Sequence, residues 1–131
     1  MKRVLFVCVE NSCRSQMAEA FAHMYGSDDM EAYSSGSNPS GEVNRRAIRF
    51  MNELDYDLSQ HASKALDELP DVEFDVAITM GCGDECPFVR AKTREDWGLD
   101  DPKRLPDDGF RAVRDEIGER VKALLTRLQE D

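Results

Sequence analysis

No stretch of these 131 residues is long and apolar enough to cross a bilayer. The apolar run near the start, Val4-Leu5-Phe6-Val7, meets a polar loop just after Cys8. That falls short of the ~7 to 15 apolar residues of a secretory leader, so a cytoplasmic location is expected. Positive charge is scarce too: 17 Lys and Arg stand against 27 Asp and Glu, a net charge of -10. Nucleic-acid backbones and anionic membranes would be repelled at long range and are not expected as partners. Any anion must be captured by a local positive pocket. Also missing are internal repeats, low-complexity tracts and any Pro/Gly/Ser-rich linker, which implies one domain over residues 1–131, expected as a monomer. A domain of this size buries roughly 65–70% of its unfolded surface, so it needs neither disulfides nor metal to stay folded. Its 4 cysteines therefore call for a chemical explanation.

Residues 2–7 read as a strand, and Met17, Phe21, Met24 and Tyr25 follow at helical spacing. A second strand is expected over 31–35, then a helix marked by Val43, Ala47, Phe50, Met51 and Leu54. Ser63 is placed to cap a short helix running through Leu69. Residues 74–80 form a buried strand by composition, 93–97 a weaker one, and Phe110, Val113, Ile117, Val121, Leu124, Leu125 and Leu128 mark a long terminal helix. Strands alternating with helices imply a three-layer α/β domain, a four-stranded parallel sheet with helices on both faces. Ligands of such sheets bind beyond the carboxyl ends of the strands, where the loops after residues 7, 80 and 97 depart.

The first of these loops reads Cys8-Val9-Glu10-Asn11-Ser12-Cys13-Arg14-Ser15. A loop wrapped around a helix N-terminus aims backbone N–H groups at one spot, and the helix dipole favours negative charge there. Arg14 adds a planar fork of donors suited to a tetrahedral oxyanion. The same field favours the anionic, nucleophilic form of sulfur at Cys8. Ser15 is placed to hydrogen-bond that sulfur, and Asn11 is a residue that tolerates the left-handed conformation a tight cradle requires. Cys13 is expected to be structural, since its side chain cannot share the loop centre with Cys8. Glu10 must point its charge away from the anion.

This loop, six positions from Cys8 to Arg14 between the first strand and its helix, resembles the CX5R low-molecular-weight tyrosine phosphatases and the arsenate reductases related to them. The resemblance implies their phosphatase-like fold, with the oxyanion held by residues 9–15 and Cys8 as nucleophile. Ser15-Gln16-Met17-Ala18-Glu19 looks like the reductases, whereas the phosphatases usually carry proline after the arginine-serine pair. Met80-Gly81-Cys82-Gly83-Asp84-Glu85-Cys86-Pro87 offers two further thiols. Reducing arsenate takes two electrons, which two thiols supply on becoming a disulfide. The resemblance thus implies a relay in which Cys82 attacks Cys8 and Cys86 takes over Cys82, with thioredoxin or another thiol reductant as partner. Phosphate and sulfate would compete for the loop. Asp101, before Pro102, matches the family's general acid, and Lys103-Arg104 stand where the phosphatases commonly place aromatics. In some relatives a potassium site uses positions matching Asn11, Glu19 and Ser34. Here Lys64 stands where they have an aspartate, and its ammonium is expected to replace the cation, so no metal and no cofactor are expected.

Three rivals remain. A low-molecular-weight tyrosine phosphatase with regulatory cysteines is the alternative enzyme. Cys8-x4-Cys13 and Cys82-x3-Cys86 approach zinc-ligand spacing, though Arg14 is a poor neighbour for a cation. A non-catalytic oxyanion sensor is the third. His23 reads as an exposed or satisfied helical histidine, His61 as a loop anchor and Trp97 as packing near the acid loop.

Overall fold

The computed structural model describes residues 2–26, 29–80 and 89–130. Four parallel strands, β1 (Lys2–Cys8), β2 (Met30–Gly36), β3 (Phe74–Thr79) and β4 (Ala91–Asp96), lie in the order β2-β1-β3-β4. The α-helices are α1 (Arg14–Tyr25), α2 (Arg45–Asn52) and α3 (Asp107–Glu130). β1 sits in the middle because it is apolar on both faces: Val4, Leu5, Phe6 and Val7 are all fully buried. Alternation sends Val4, Phe6 and Cys8 into the main core with the three helices, and Leu5 and Val7 into a smaller cluster with Phe74, Ala77 and Ala91. That second face is covered, among the described residues, by Leu69, Val72 and Val89, with Tyr33 of β2, rather than by an α-helix.

The expected elements are present, with boundary shifts that have local causes. The weak strand forms as the edge strand β4, which is largely exposed and so carries Lys92, Thr93 and Arg94 in place of an apolar run. Asn44 caps α2 by accepting from Arg46 N (2.9 Å) and Ala47 N (3.1 Å). Ser63 does not cap a helix through Leu69. Its hydroxyl instead donates to Glu10 O at 3.0 Å and accepts from Gly41 N at 3.3 Å, and the helical turn starts only at Leu66. The buried Arg114 of α3 is satisfied by Phe50 O (2.8 Å) and Glu53 Oε1 (2.7 Å), which clasps α2 to α3.

The chain turns one way from β1 to β2 and the other way to reach β3, so β1 and β3 flank a topological switch point. Cys8 ends β1 there. Met80 N donates to Val7 O (3.0 Å) and Trp97 N to Thr79 O (2.8 Å), which aligns the carboxyl ends of β1, β3 and β4.

Gly36 closes the other side of this edge. A Cβ at residue 36 would stand 2.4 Å from Val9 O, 2.8 Å from Asn11 N and 2.9 Å from Cys8 O, all backbone atoms that cannot rotate away. Gly36→Ala should therefore cost about 1–3 kcal/mol of stability in a denaturant melt. A midpoint equal to that of the unmodified chain would contradict this close approach.

Candidate active site

The loop between β1 and α1 is built from its carbonyls outward. Val9 O accepts from Asn38 N (2.8 Å), Glu10 O from Ser40 N (3.0 Å), and Ser12 O from Asn44 N (2.9 Å). Asn11 O accepts from Gln16 Nε2 (3.0 Å) and Cys13 O from Met17 N (3.0 Å). A planar trans peptide directs its N–H opposite to its C=O. Anchoring five successive carbonyls outward therefore turns the N–H groups of residues 10–14 towards the loop interior. Asn11 makes the turn with φ 48°, the left-handed region expected for it. The N-cap of α1 is Cys13, whose side chain makes no capping bond, and the first turn holds no acid. The orphan N–H groups at the helix start are thus left for an anion.

Cys8 is buried, and its Sγ lies 2.8 Å from Ser15 Oγ. Ser15 Oγ accepts from Asn11 Nδ2 at 3.0 Å, which leaves the serine proton to donate to the sulfur. Asn11 is held in turn: its Oδ1 accepts from Gln16 Nε2 (3.0 Å) and from Lys64 N (2.6 Å). Gln16, which sequence reasoning used only as part of a family motif, is fully buried and also donates to Ala62 O at 2.9 Å. Its Oε1 accepts from His61 Nδ1 (2.9 Å), and His61 Nε2 meets Tyr56 OH at 2.6 Å. His61 thus anchors the loop that follows residue 60. Burial, only partly opposed by Glu19, lowers its pKa and keeps it neutral. The one available signal for Gln16 was an amide, instead of an apolar residue, in the first turn of a buried helix.

Arg14 reaches across the sheet edge. Its NH1 donates to Leu99 O at 2.8 Å and its NH2 stands 4.0 Å from Asp101 Oδ2, so the arginine joins the 97–101 loop to the first loop. Asp101 is half-exposed, and its Oδ1 accepts from Lys103 N at 3.1 Å. Glu10 turns its carboxylate outward to an ion pair with Lys103 Nζ, which neutralises the charge expected to face away. Cys13 is buried beneath the loop, and its pKa is pushed up to about 12, by burial first and then by the neighbouring Asp101 and Cys8.

The structure brings Cys8, residues 9–13, Arg14, Ser15 and Asp101 to one place. Cys82 and Cys86 lie outside the described residues. Met80, the last described residue before them, hydrogen-bonds the strand end that carries Cys8.

The donor set does not fit a potassium ion. Asn11 Oδ1 already accepts two bonds, and Lys64 Nζ brings a positive charge to 3.8 Å from Glu19 Oε1 while donating to Ala62 O at 3.1 Å. Burial alone would raise the pKa of Glu19, but the hydrogen bond from His23 and the charge of Lys64 lead the contributions that outweigh it and lower it. Ser34, at the matching position, is buried and stands near enough to Glu19 to add to the lowering of its pKa, although among the described residues its Oγ makes no hydrogen bond of ordinary length.

Comparison with known proteins agrees with this geometry. The family model described as low molecular weight phosphotyrosine protein phosphatase matches residues 3–131. An arsenate reductase of Shouchella clausii is 41% identical over 130 residues, covering 92% of this chain and 93% of that protein. A glutaredoxin arsenate reductase of Synechocystis is 39% identical over 131 residues, 98% and 99% of the two chains. A solved structure described as an arsenate reductase in the phosphate binding state superimposes with a TM-score of 0.87 at 39% identity, over 97% of this chain and 98% of the other. With its loop, its switch-point cysteine and these matches over nearly its whole length, the chain belongs to the low-molecular-weight phosphotyrosine protein phosphatase family.

Proposed function

We propose that the chain is an arsenate reductase in which Cys8 attacks arsenate and a Cys8/Cys82/Cys86 relay supplies the two electrons. The observation that carries the reading is the outward-anchored loop, with Cys8 Sγ at 2.8 Å from Ser15 Oγ and Arg14 at the loop's far end. The named arsenate reductases near 40% identity supply the choice of substrate.

Inward N–H groups and the Arg14 guanidinium bind the arsenate oxygens and compensate their charge. The Cys8 thiolate, steadied by Ser15, forms a sulfur–arsenic bond as one oxygen leaves. Asp101, at 4.0 Å from Arg14, is the group to protonate that oxygen, which departs as water. Cys82 then attacks Cys8 sulfur. The sulfur–arsenic bond breaks, its electron pair stays on arsenic, and arsenic falls from the pentavalent to the trivalent state as arsenite is released. Cys86 displaces Cys8 from the Cys8–Cys82 disulfide, leaving Cys82–Cys86 oxidised and Cys8 again a thiolate. A protein-internal disulfide of this kind suits reduction by thioredoxin in a reducing cytoplasm. Phosphate and sulfate, tetrahedral anions of similar size, compete for the loop.

A single turnover tests the scheme. Reduced protein given arsenate and no external reductant should release about one arsenite per chain. Disulfide mapping should find Cys82–Cys86 in the unmodified chain and Cys8–Cys82 in Cys86→Ser. Neither arsenite nor disulfide, with hydrolysis of an aryl phosphate instead, would favour the phosphatase.

Cys13 provides a second check. A thiol whose pKa is pushed up to about 12 stays protonated until the pH nears that value, so it does not act as a nucleophile at neutral pH. Iodoacetamide at about pH 8–9 should modify Cys8 while sparing Cys13. Labelling of Cys13 as fast as Cys8 in the folded protein would contradict its burial.

A further inference from the structure

Behind the oxyanion loop, three side chains that take no part in the proposed chemistry converge on one open hollow, lined also by Tyr56, Gln60 and Lys64. Glu19 Oε2 lies 3.2 Å from His61 Nδ1 and 3.4 Å from His23 Nε2, and the three ligand atoms all fall within 4.8 Å of one another. A tetrahedral ion with bonds of about 2.0–2.1 Å separates its ligand atoms by about 3.3 Å. Two of the three edges therefore already have the spacing of a first-row transition metal. Closing the third needs only movement of His23, the most exposed of the three, while His61 and Glu19 are fixed by burial.

We propose that Glu19, His23 and His61 form a binding site for a borderline divalent transition metal such as zinc, separate from the oxyanion loop and open to water at its fourth position. Two further observations support it, and a third sets its strength. Tyr56 OH, at 2.6 Å from His61 Nε2, can accept a hydrogen bond from the Nε2–H tautomer, in which the Nδ1 lone pair is free for the metal, as partners of ligating histidines do. Two imidazoles with one carboxylate are a donor set for zinc, cobalt or nickel, whereas hard cations prefer all-oxygen sites. Lys64 stands by the opposite carboxylate oxygen, Oε1, so it leaves Oε2 available but weakens the attraction for any cation. The site also touches the machinery. A metal on His61 Nδ1 removes the proton now donated to Gln16 Oε1, and Gln16 holds Asn11.

Cobalt(II) titration of the reduced full-length protein separates this site from thiol ligation by its spectrum. The expected result is one equivalent with visible ligand-field bands and no sulfur-to-cobalt charge-transfer band, displaced by zinc. His23→Ala, on the helix surface, should weaken that uptake by more than about tenfold while leaving single-turnover arsenite release unchanged. Lys64→Met should tighten it. No uptake, thiolate-type bands alone, equal uptake by His23→Ala, or no tightening in Lys64→Met would each overturn the three-ligand site.

Discussion

Everything in this active site depends on the direction of five peptide carbonyls. Val9, Glu10, Asn11, Ser12 and Cys13 each give their oxygen to a partner outside the loop, and the partners come from four regions: the segment after β2, the start of α1, the N-cap of α2 and Ser63. The N–H groups consequently face inward, where no acceptor from the described residues competes with an anion. In a chain of net charge -10 this local arrangement, reinforced by the α1 dipole and by Arg14, sets the electrostatics of the pocket against those of the molecule. Gly36 permits it by letting β2 approach the loop backbone more closely than any side chain would allow.

The same economy governs the second layer. Ser15, Asn11, Gln16, His61 and Tyr56 form one continuous chain of hydrogen bonds from Cys8 to the edge of the molecule. Each member is buried or partly buried and has a partner, so rotating any one would strand a polar group in the core at a cost of about 1–3 kcal/mol. The cost of misalignment, more than any single strong bond, keeps Cys8 oriented. The ammonium of Lys64 beside Glu19 stabilises the acid end of this layer from within the chain.

Much of this was legible in the residues. The fold followed from where apolar runs alternate with helical spacing, and β1 was plain because four consecutive apolar residues must be buried on both faces. The conformation of Asn11, the contact of Ser15 with Cys8, the outward charge of Glu10 and the place of Cys13 away from the loop centre were each expected from chemistry at a fixed offset from Cys8. Ser63 was misread because a serine before a polar-apolar stretch looks like a cap, and only tertiary structure reveals that Glu10 O is its partner. The convergence of Gln16, Tyr56 and His61 was illegible for the same reason: their partners lie across loops, at separations no periodicity encodes.

Backbone amide resonances followed during a titration with phosphate report on the loop's N–H groups one by one. If the N–H groups of residues 10–14 line the anion site, their signals should shift together and saturate with one binding constant, and Arg14→Ala should weaken that binding. Signals of residues 10–14 that stay fixed while phosphate binds elsewhere would contradict the account.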